Sequence, residues 1–346
     1  MKKFLFYINA IHHGGAERVM VNLASELVKE GYECILVTSF VDSWEYTFDS
    51  RIKRISLFKK PLGIFIARNV RLVIGLRRII KNEKPDTVLS FMAEPNFRAL
   101  IACFGLNVKK IISIRNDPNR EYASISTRLL AKSFFRYADH VVFQTEDAQR
   151  WFPKSIQKKS SIILNPVDEF FFKTHFDGVR HDIVTTGRLV PQKNHKLLIK
   201  AFAKIAHKVE DNLYIYGEGE LRAELEQLVS GLNLQDRVFL PGAVKDVAET
   251  IKTAKLFVLS SDFEGLPNSL MEAMALGIPC ISTKCPCGGP RMLLNDAFLV
   301  DVNNDEQLGE KLLRIADLRF FKDNYRINAT VFRQNFIVKD WLKVLL

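Results

Sequence analysis

The chain has 346 residues, 47% of them hydrophobic, and carries a net charge of +11. That length exceeds one ordinary core and suits two domains of about 150 residues each. No apolar run reaches the ~18 residues that a membrane span needs, and the five cysteines, Cys34, Cys103, Cys280, Cys285 and Cys287, suggest no disulfide framework. The charge is uneven. Residues 1–165 hold 27 Lys and Arg against 15 Asp and Glu, a balance of +12, while residues 166–346 hold 23 against 24, a balance of −1. An anionic partner is therefore expected at the first half: a membrane surface, a nucleic acid or a phosphorylated substrate.

The opening "MKKFLFYINAI" imitates a signal peptide. "HHGGAER" follows it with no small-residue cleavage site, so it reads as a first buried strand of a cytoplasmic protein. Further apolar runs follow at 34–40, 52–57, 87–92, 109–115, 140–145 and 160–165, with helical patterns between several of them. Runs that are apolar throughout fit parallel strands buried on both faces, and the alternation predicts βαβ units in a doubly wound sheet. The second half repeats the scheme at 182–187, 212–217, 238–242, 256–261 and 279–284. Asn165-Pro166 opens a polar, turn-rich stretch that marks the linker. The expected division is a first domain at 1–165, a second at 166–325 and a terminal helical segment at 326–346. Phe332, Phe336, Val338 and Leu342 are among the apolar residues of that last stretch.

In doubly wound domains ligands bind beyond the carboxyl ends of the strands, and the polar clusters of this chain lie there. "IHHGGAERV" places Gly14 and Gly15 between the first strand and a helix, where backbone can approach a phosphate or sugar. A tight turn is the competing reading, as it is for Gly217 and Gly219 in "YGEGEL". "GRLVPQKN" lets Arg188 and Lys193 converge on one diphosphate in place of a metal ion, and two solvated cations on a loop is the competing reading. Acid-held metal would call for paired carboxylates, and no Asp-x-Asp occurs. His195 reads as packing or capping at the next helix start.

"DFEGLPNSLMEAMALGIP" is the most informative stretch. Glu264 lies in the loop after a strand, Pro267 ends strand pairing, Asn268 is the expected N-cap, and Glu272 follows one turn into the helix. Side chains lean toward a helix N-terminus, so Glu272 can point back toward Glu264, with free N–H groups between them. Carboxylates suit vicinal sugar hydroxyls, and bare N–H groups suit a phosphate. The competing reading is an acid that merely complements the helix dipole. "CPC" at 285–287 has no zinc spacing and reads as structural.

Together these residues resemble the family-4 retaining glycosyltransferases of GT-B fold, an α/β architecture of two doubly wound Rossmann-like domains facing each other across a cleft. The likeness covers nearly the whole chain, through "GGAERV", "GRLVPQKN", "GEGEL" and "EGLPNSLMEAMALGIP". It implies a nucleotide-sugar donor, UDP-linked, held by the second domain, with no cofactor and no metal. Arg188 and Lys193 would bind the diphosphate, Glu272 the ribose hydroxyls, and Glu264 would face the transferred sugar. Gly265, Leu266, Asn268 and Ser269 would cradle sugar and phosphate. Gly14, Gly15 and Gly217 would approach the donor through backbone, and Val244 would lie beside the base. The last helix would cross back onto the first domain. Retention of configuration is implied, with the leaving phosphate taking the acceptor proton. Many members carry a histidine after the fifth strand; here Arg115, Asn116 and Asp117 stand in its place, and Arg115 joins Glu264, Arg188 and Lys193 as a candidate catalytic residue.

"RNDP", "SFMAEPN" and "STKCPCGGPRMLL" are similar to bacterial members that extend surface or lipid-linked glycans, some moving N-acetylhexosamine. The expected transfer is of a hexose or N-acetylhexosamine to a saccharide, including a polyprenyl-diphosphate-linked glycan. The basic stretch 68–86 packs Val73, Leu76, Ile79 and Ile80 on one face and leaves Arg77, Arg78 and Lys81 on the rest, which suits a peripheral contact with an anionic membrane at its inner face. The alternatives are a nucleotide-sugar epimerase of the same architecture, a non-catalytic relative and a nucleic-acid-binding module. No RNA or DNA motif or stacking platform supports the last, so no nucleic-acid partner is expected.

Overall fold

The computed structural model describes residues 1–12, 14–41, 45–59, 65–315 and 329–346. They form two compact units: Met1–Pro166 with Asn335–Leu346, and Val167–Gln334. The division falls after Pro166 and Gln334, where the sequence suggested 165 and 325. Part of the expected boundary, 316–328, lies outside the described residues.

The first unit is a seven-stranded sheet: β1 (Lys3–Ile8), β2 (Glu33–Phe40), β3 (Lys53–Phe58), β4 (Thr87–Phe91), β5 (Lys109–Ser113), β6 (His140–Phe143) and β7 (Ser160–Ile162). Its order is β3-β2-β1-β4-β5-β6-β7, and every pair is parallel. The strands are apolar on both faces because helices cover both. Helix Gly15–Lys29 and the last helix, Gln334–Leu345, pack against one face with Phe4, Phe6, Leu36 and Leu89. Helices Phe65–Glu83 and Ala93–Cys103 pack against the other with Leu5, Tyr7, Ile35 and Val88.

The last helix buries Ile337, Val338, Trp341, Val344 and Leu345. Trp341 lies against Phe91, ring centroids 5.6 Å apart, and Thr87 Oγ1 donates to the Leu345 carbonyl at 2.9 Å. Each apolar side chain so buried is worth about 1.5–3 kcal/mol. Two apolar residues named from the sequence sit elsewhere. Phe336 is half exposed, since the 3.6-residue period turns it away from 337 and 341. Phe332 is buried in a 3₁₀ turn, Ala329–Phe332, that belongs to the second unit, where Val167 N–H donates to its carbonyl at 2.8 Å.

The second unit is a six-stranded parallel sheet: β8 (His181–Thr186), β9 (Leu213–Tyr216), β10 (Val238–Gly242), β11 (Ala254–Leu259), β12 (Cys280–Thr283) and β13 (Leu299–Val300). Its order is β10-β9-β8-β11-β12-β13. Sequence periodicity missed only β13, whose two residues are too few to show a pattern. Both sheets reverse winding direction beside their first strand, between β1 and β4 and between β8 and β11. Such a switch point opens a crevice at the carboxyl ends of the strands. No helix among the described residues is long and apolar enough to cross a membrane.

Candidate functional site

The second unit's switch point carries a polar cluster joined by several hydrogen bonds. β8 ends at Thr186, and the chain passes through Gly187 and Arg188 to a 3₁₀ turn, Pro191–Lys193. β11 ends at Leu259 and releases the loop Ser260–Pro267. These two connections are tied together. Ser260 Oγ donates to the Lys193 carbonyl at 2.9 Å, Asp262 N–H to the Gln192 carbonyl at 2.9 Å, and Gln192 Nε2 to the Phe263 carbonyl at 2.9 Å. Asn194, in the left-handed region at φ 43°, caps helix His195–Ala203 through the Leu197 N–H and donates to Asp262 Oδ1 at 2.6 Å.

Lys193 and Glu264 meet inside this frame, Nζ to Oε1 at 2.6 Å. Ser261 Oγ donates to the same oxygen at 2.8 Å, and Gln192 Nε2 lies 3.4 Å from the other. Glu264 is only 8% exposed, so these charge-assisted bonds fix its carboxylate more firmly than a surface pair would be fixed. Arg188 is exposed, and its guanidinium has no hydrogen-bond or ion-pair partner among the described residues. The two cations expected to act together are thus differently placed. Lys193 is bound to Glu264, and Arg188 is open to an anion. His195 is buried, with Nε2 3.3 Å from the Arg188 carbonyl.

The helix after this loop runs Asn268–Ala275. Asn268 is its first residue rather than its N-cap. Pro267, extended at φ −77° and ψ 110°, holds the cap position, and no side chain caps it. Proline has no N–H to satisfy there and its φ is preset. Glu272 is buried at 6% exposure on the second turn, together with Leu270 and Met271. Gly265 and Leu266 are buried, and Ser269 Oγ is enclosed without a hydrogen-bond partner among the described residues.

Gly217 follows β9 at φ 149°, and a Cβ there would lie 1.8 Å from the Gly187 carbonyl oxygen. Only glycine lets this strand end close on the Arg188 loop. Val244 is half-buried in the loop after β10. Arg188, Lys193, Gly217, Val244, Gly265, Leu266, Asn268, Ser269, Glu264 and Glu272 therefore all lie at carboxyl strand ends of one sheet or on the helix that follows. Gln192, Ser261 and Asn194 were not singled out from sequence. The signal was their adjacency to Lys193 and to the end of β11.

In the first unit Gly14 caps helix Gly15–Lys29 without a side-chain hydrogen bond, and the Glu17 carboxylate folds over it. Arg115 follows β5 and is 7% exposed. Its guanidinium lies 4.5 Å from the Phe91 ring centroid and donates to Asn165 Oδ1, which also accepts from Gln144 at 2.6 Å. Burial pulls Arg115 down to about 9, against the attraction of Glu17, which leaves it cationic at neutral pH. Nearby in sequence, Glu121 accepts from the Ala93 N–H at 2.7 Å, and burial pushes it up to about 7. Among the described residues no group of three or more His, Cys, Asp or Glu side chains is placed to hold a metal ion, and the five cysteines are buried thiols outside any disulfide.

Two parallel Rossmann-like sheets, each with polar loops at its switch point, define a GT-B architecture. The model for glycosyl transferases group 1 matches residues 166–331, and that for glycosyltransferase family 4 matches residues 13–169. The UDP-Gal:alpha-D-GlcNAc-diphosphoundecaprenol alpha-1,3-galactosyltransferase of Escherichia coli is 33% identical over 88% of this chain and 85% of its own length. A Campylobacter jejuni enzyme, GalNAc-alpha-(1->4)-GalNAc-alpha-(1->3)-diNAcBac-PP-undecaprenol alpha-1,4-N-acetyl-D-galactosaminyltransferase, is 28% identical over 100% of this chain and 98% of its own. The crystal structure of Anabaena Alr3699/HepE in complex with UDP and glucose matches the fold with a TM-score of 0.84 at 20% identity, covering 100% of this chain and 99% of that one. The chain belongs to the GT-B glycosyltransferases of family-4 type and is a hexosyltransferase.

Proposed function

We propose that this enzyme moves a hexose or N-acetylhexosamine from a UDP-sugar to a polyprenyl-diphosphate-linked glycan or another surface-polysaccharide precursor, with retention of configuration and without a metal ion. The observation that carries the donor site is the Lys193–Glu264 pair together with the exposed Arg188, all at the second unit's strand ends. Arg188 and Lys193 neutralise the diphosphate, and the positive end of the helix that begins at Asn268 and Ser269 adds to this. Glu264 orients the transferred ring and Glu272 the ribose hydroxyls. Gly217, Val244, Gly265 and Leu266 offer backbone to the donor, as do Gly14 and Gly15 in the first unit.

The acceptor hydroxyl attacks the anomeric carbon as its bond to the β-phosphate oxygen breaks. The proton passes to that departing oxygen on the same face. The protein supplies orientation and anion stabilisation in place of a strong base. Arg115, cationic and rigidly held, is assigned to the acceptor side. The acceptor class follows the relatives, whose named substrates are diphosphoundecaprenol-linked.

The donor reading is tested by calorimetric titration of UDP into wild type and Glu272→Ala, with and without EDTA. Binding that is insensitive to EDTA and at least about tenfold weaker in the variant is expected, the loss of one charge-assisted hydrogen-bond set of about 1.5–3 kcal/mol. Absence of UDP binding, or its abolition by EDTA, overturns the reading.

The same reading places the enzyme at the inner face of an anionic membrane. Helix Phe65–Glu83 buries Leu72, Leu76 and Ile80, yet Ile66, Val70 and Ile74 stand exposed at 74%, 53% and 56%. Their i, i+4, i+8 spacing makes one outward stripe. Arg71, Arg78 and Lys81 are exposed on the same helix, a composition that suits a lipid interface.

A further inference from the structure

The Cys-Pro-Cys-Gly-Gly stretch after β12 has no metal spacing and no redox pairing, yet it makes close contact with the loop that carries Glu264. Thr283 Oγ1 donates to the Ser261 carbonyl at 2.5 Å, and Cys285 Sγ donates to the same oxygen at 3.1 Å. Cys287 and Gly288 then adopt left-handed backbone in succession, φ 72° and 74°, and turn the chain under the loop. There Gly289 arrives so close that a Cβ on it would lie 1.9 Å from the Gly265 carbonyl oxygen and 3.1 Å from Pro267 Cδ. Both obstacles belong to backbone or a proline ring, so neither can swing aside as a flexible side chain would. Glu264 sits between these two anchored points, Ser261 and Gly265. On its other side Lys193, Gln192 and Asn194 hold the same loop.

We infer that the Thr283–Gly289 turn is a positioning device for Glu264, with Gly289 as its contact point and the Ser261 carbonyl as its anchor. The glycine fixes how far the Glu264–Pro267 loop descends toward the donor. Thr283 and Cys285 hold the end of β11 so that Ser261 Oγ reaches the Glu264 carboxylate. Any side chain at 289 lifts the loop, and lost donors at 283 loosen it. Gly289 and Thr283 are positioning residues that touch no reacting atom. This rests on the role proposed for Glu264, and it extends the site to a segment that no sequence motif joined to it.

The test compares Gly289→Ala, Thr283→Val and Thr283→Ser with wild type. The readouts are UDP affinity by calorimetry and kcat and KM for release of sugar from UDP-galactose and UDP-N-acetylgalactosamine. A displacement near 1 Å at a reacting centre costs on the order of 10²-fold in turnover, so kcat of Gly289→Ala should fall about that far, while UDP affinity, which shares the Gly265 backbone, falls by no more than about tenfold. Thr283→Val should lose about tenfold in kcat, and Thr283→Ser, which keeps the donor, should recover most of it. Gly231→Ala, in open space at a helix end, is the control for adding a methyl group. Wild-type kcat in both Gly289→Ala and Thr283→Val overturns the inference. So does a parallel loss of kcat, UDP affinity and melting temperature, which marks a merely structural role. If Gly289→Ala does not fold, the Thr283 pair decides. If wild type binds no UDP, the donor reading fails instead, and a crystal structure of Gly289→Ala still tests the turn: an unmoved Gly265 carbonyl and an intact Lys193–Glu264 pair refute it.

Discussion

His195 shows how one residue records its surroundings. Burial first, and then the nearby Lys193 charge, pull its imidazole down to about 4. Nε2 lies near the Arg188 carbonyl, which fixes that nitrogen as the protonated one. Nδ1 is enclosed without a hydrogen-bond partner among the described residues. The folded protein therefore holds a neutral ring where the unfolded chain takes up a proton below about 6.5. Its contribution to stability is complete above that value and is lost as pH falls toward 4. Between pH 7.5 and 5 the loss is about 2 kcal/mol. His195→Gln keeps a donor for the Arg188 carbonyl and cannot titrate, so its urea midpoint should fall less than wild type's over this range. An equal fall in both proteins would show that His195 is not the source. The sequence suggested a packing or capping histidine, and its neighbours explain why: it opens helix His195–Ala203 directly after the capping Asn194.

At the scale of elements, the strand ends matter more than the strands. Gly187 and Gly217 cross so closely that the second has no room for a side chain. Gly217→Ala places a methyl group against a main-chain oxygen and demands φ near +149° from an L-residue. We expect a loss of about 1–3 kcal/mol, read as a lowered urea midpoint, with donor affinity weakened because Arg188 follows Gly187. Unchanged stability would mean that the loop relaxes freely. The element-level reading from sequence placed the strands well, because runs apolar on both faces have few other uses. It misjudged the start of helix Asn268–Ala275, since an asparagine after a proline looks like a cap while the backbone puts proline there.

At the scale of the molecule, charge and exposed aliphatic surface coincide in the first unit. Arg77, on the helix that carries the outward stripe, donates to the Ala102 and Phe104 carbonyls at 2.8 and 2.7 Å. It thereby brings the exposed Ile101 and Phe104 alongside. Sedimentation with phosphatidylglycerol vesicles should show binding that weakens steeply with salt. Arg71→Glu, Arg78→Glu and Lys81→Glu together should lower partitioning by more than about 10²-fold, since each basic residue near such a surface is worth about 1 kcal/mol. Ile74→Asp should lower it while leaving the salt dependence in place. Equal binding to neutral and anionic vesicles, or none to either, would remove the membrane from the account.

The sequence by itself determined the two-domain α/β architecture, and it singled out Glu264, Glu272, Arg188 and Lys193, which the structure places at strand ends of the second unit or on the helix that follows. Hydrophobic periodicity and short-range spacing carry that information, because a strand, a turn and a helix start are each written in contiguous residues. Only the tertiary structure decided that Lys193 is held by Glu264 while Arg188 stays open, and that the outer face of helix Phe65–Glu83 carries bare aliphatics. It alone brought Thr283 and Gly289 beneath a loop some twenty residues earlier in the chain. Such contacts depend on which strands lie side by side and how near two backbones approach. β11 and β12 become neighbours only when the sheet forms.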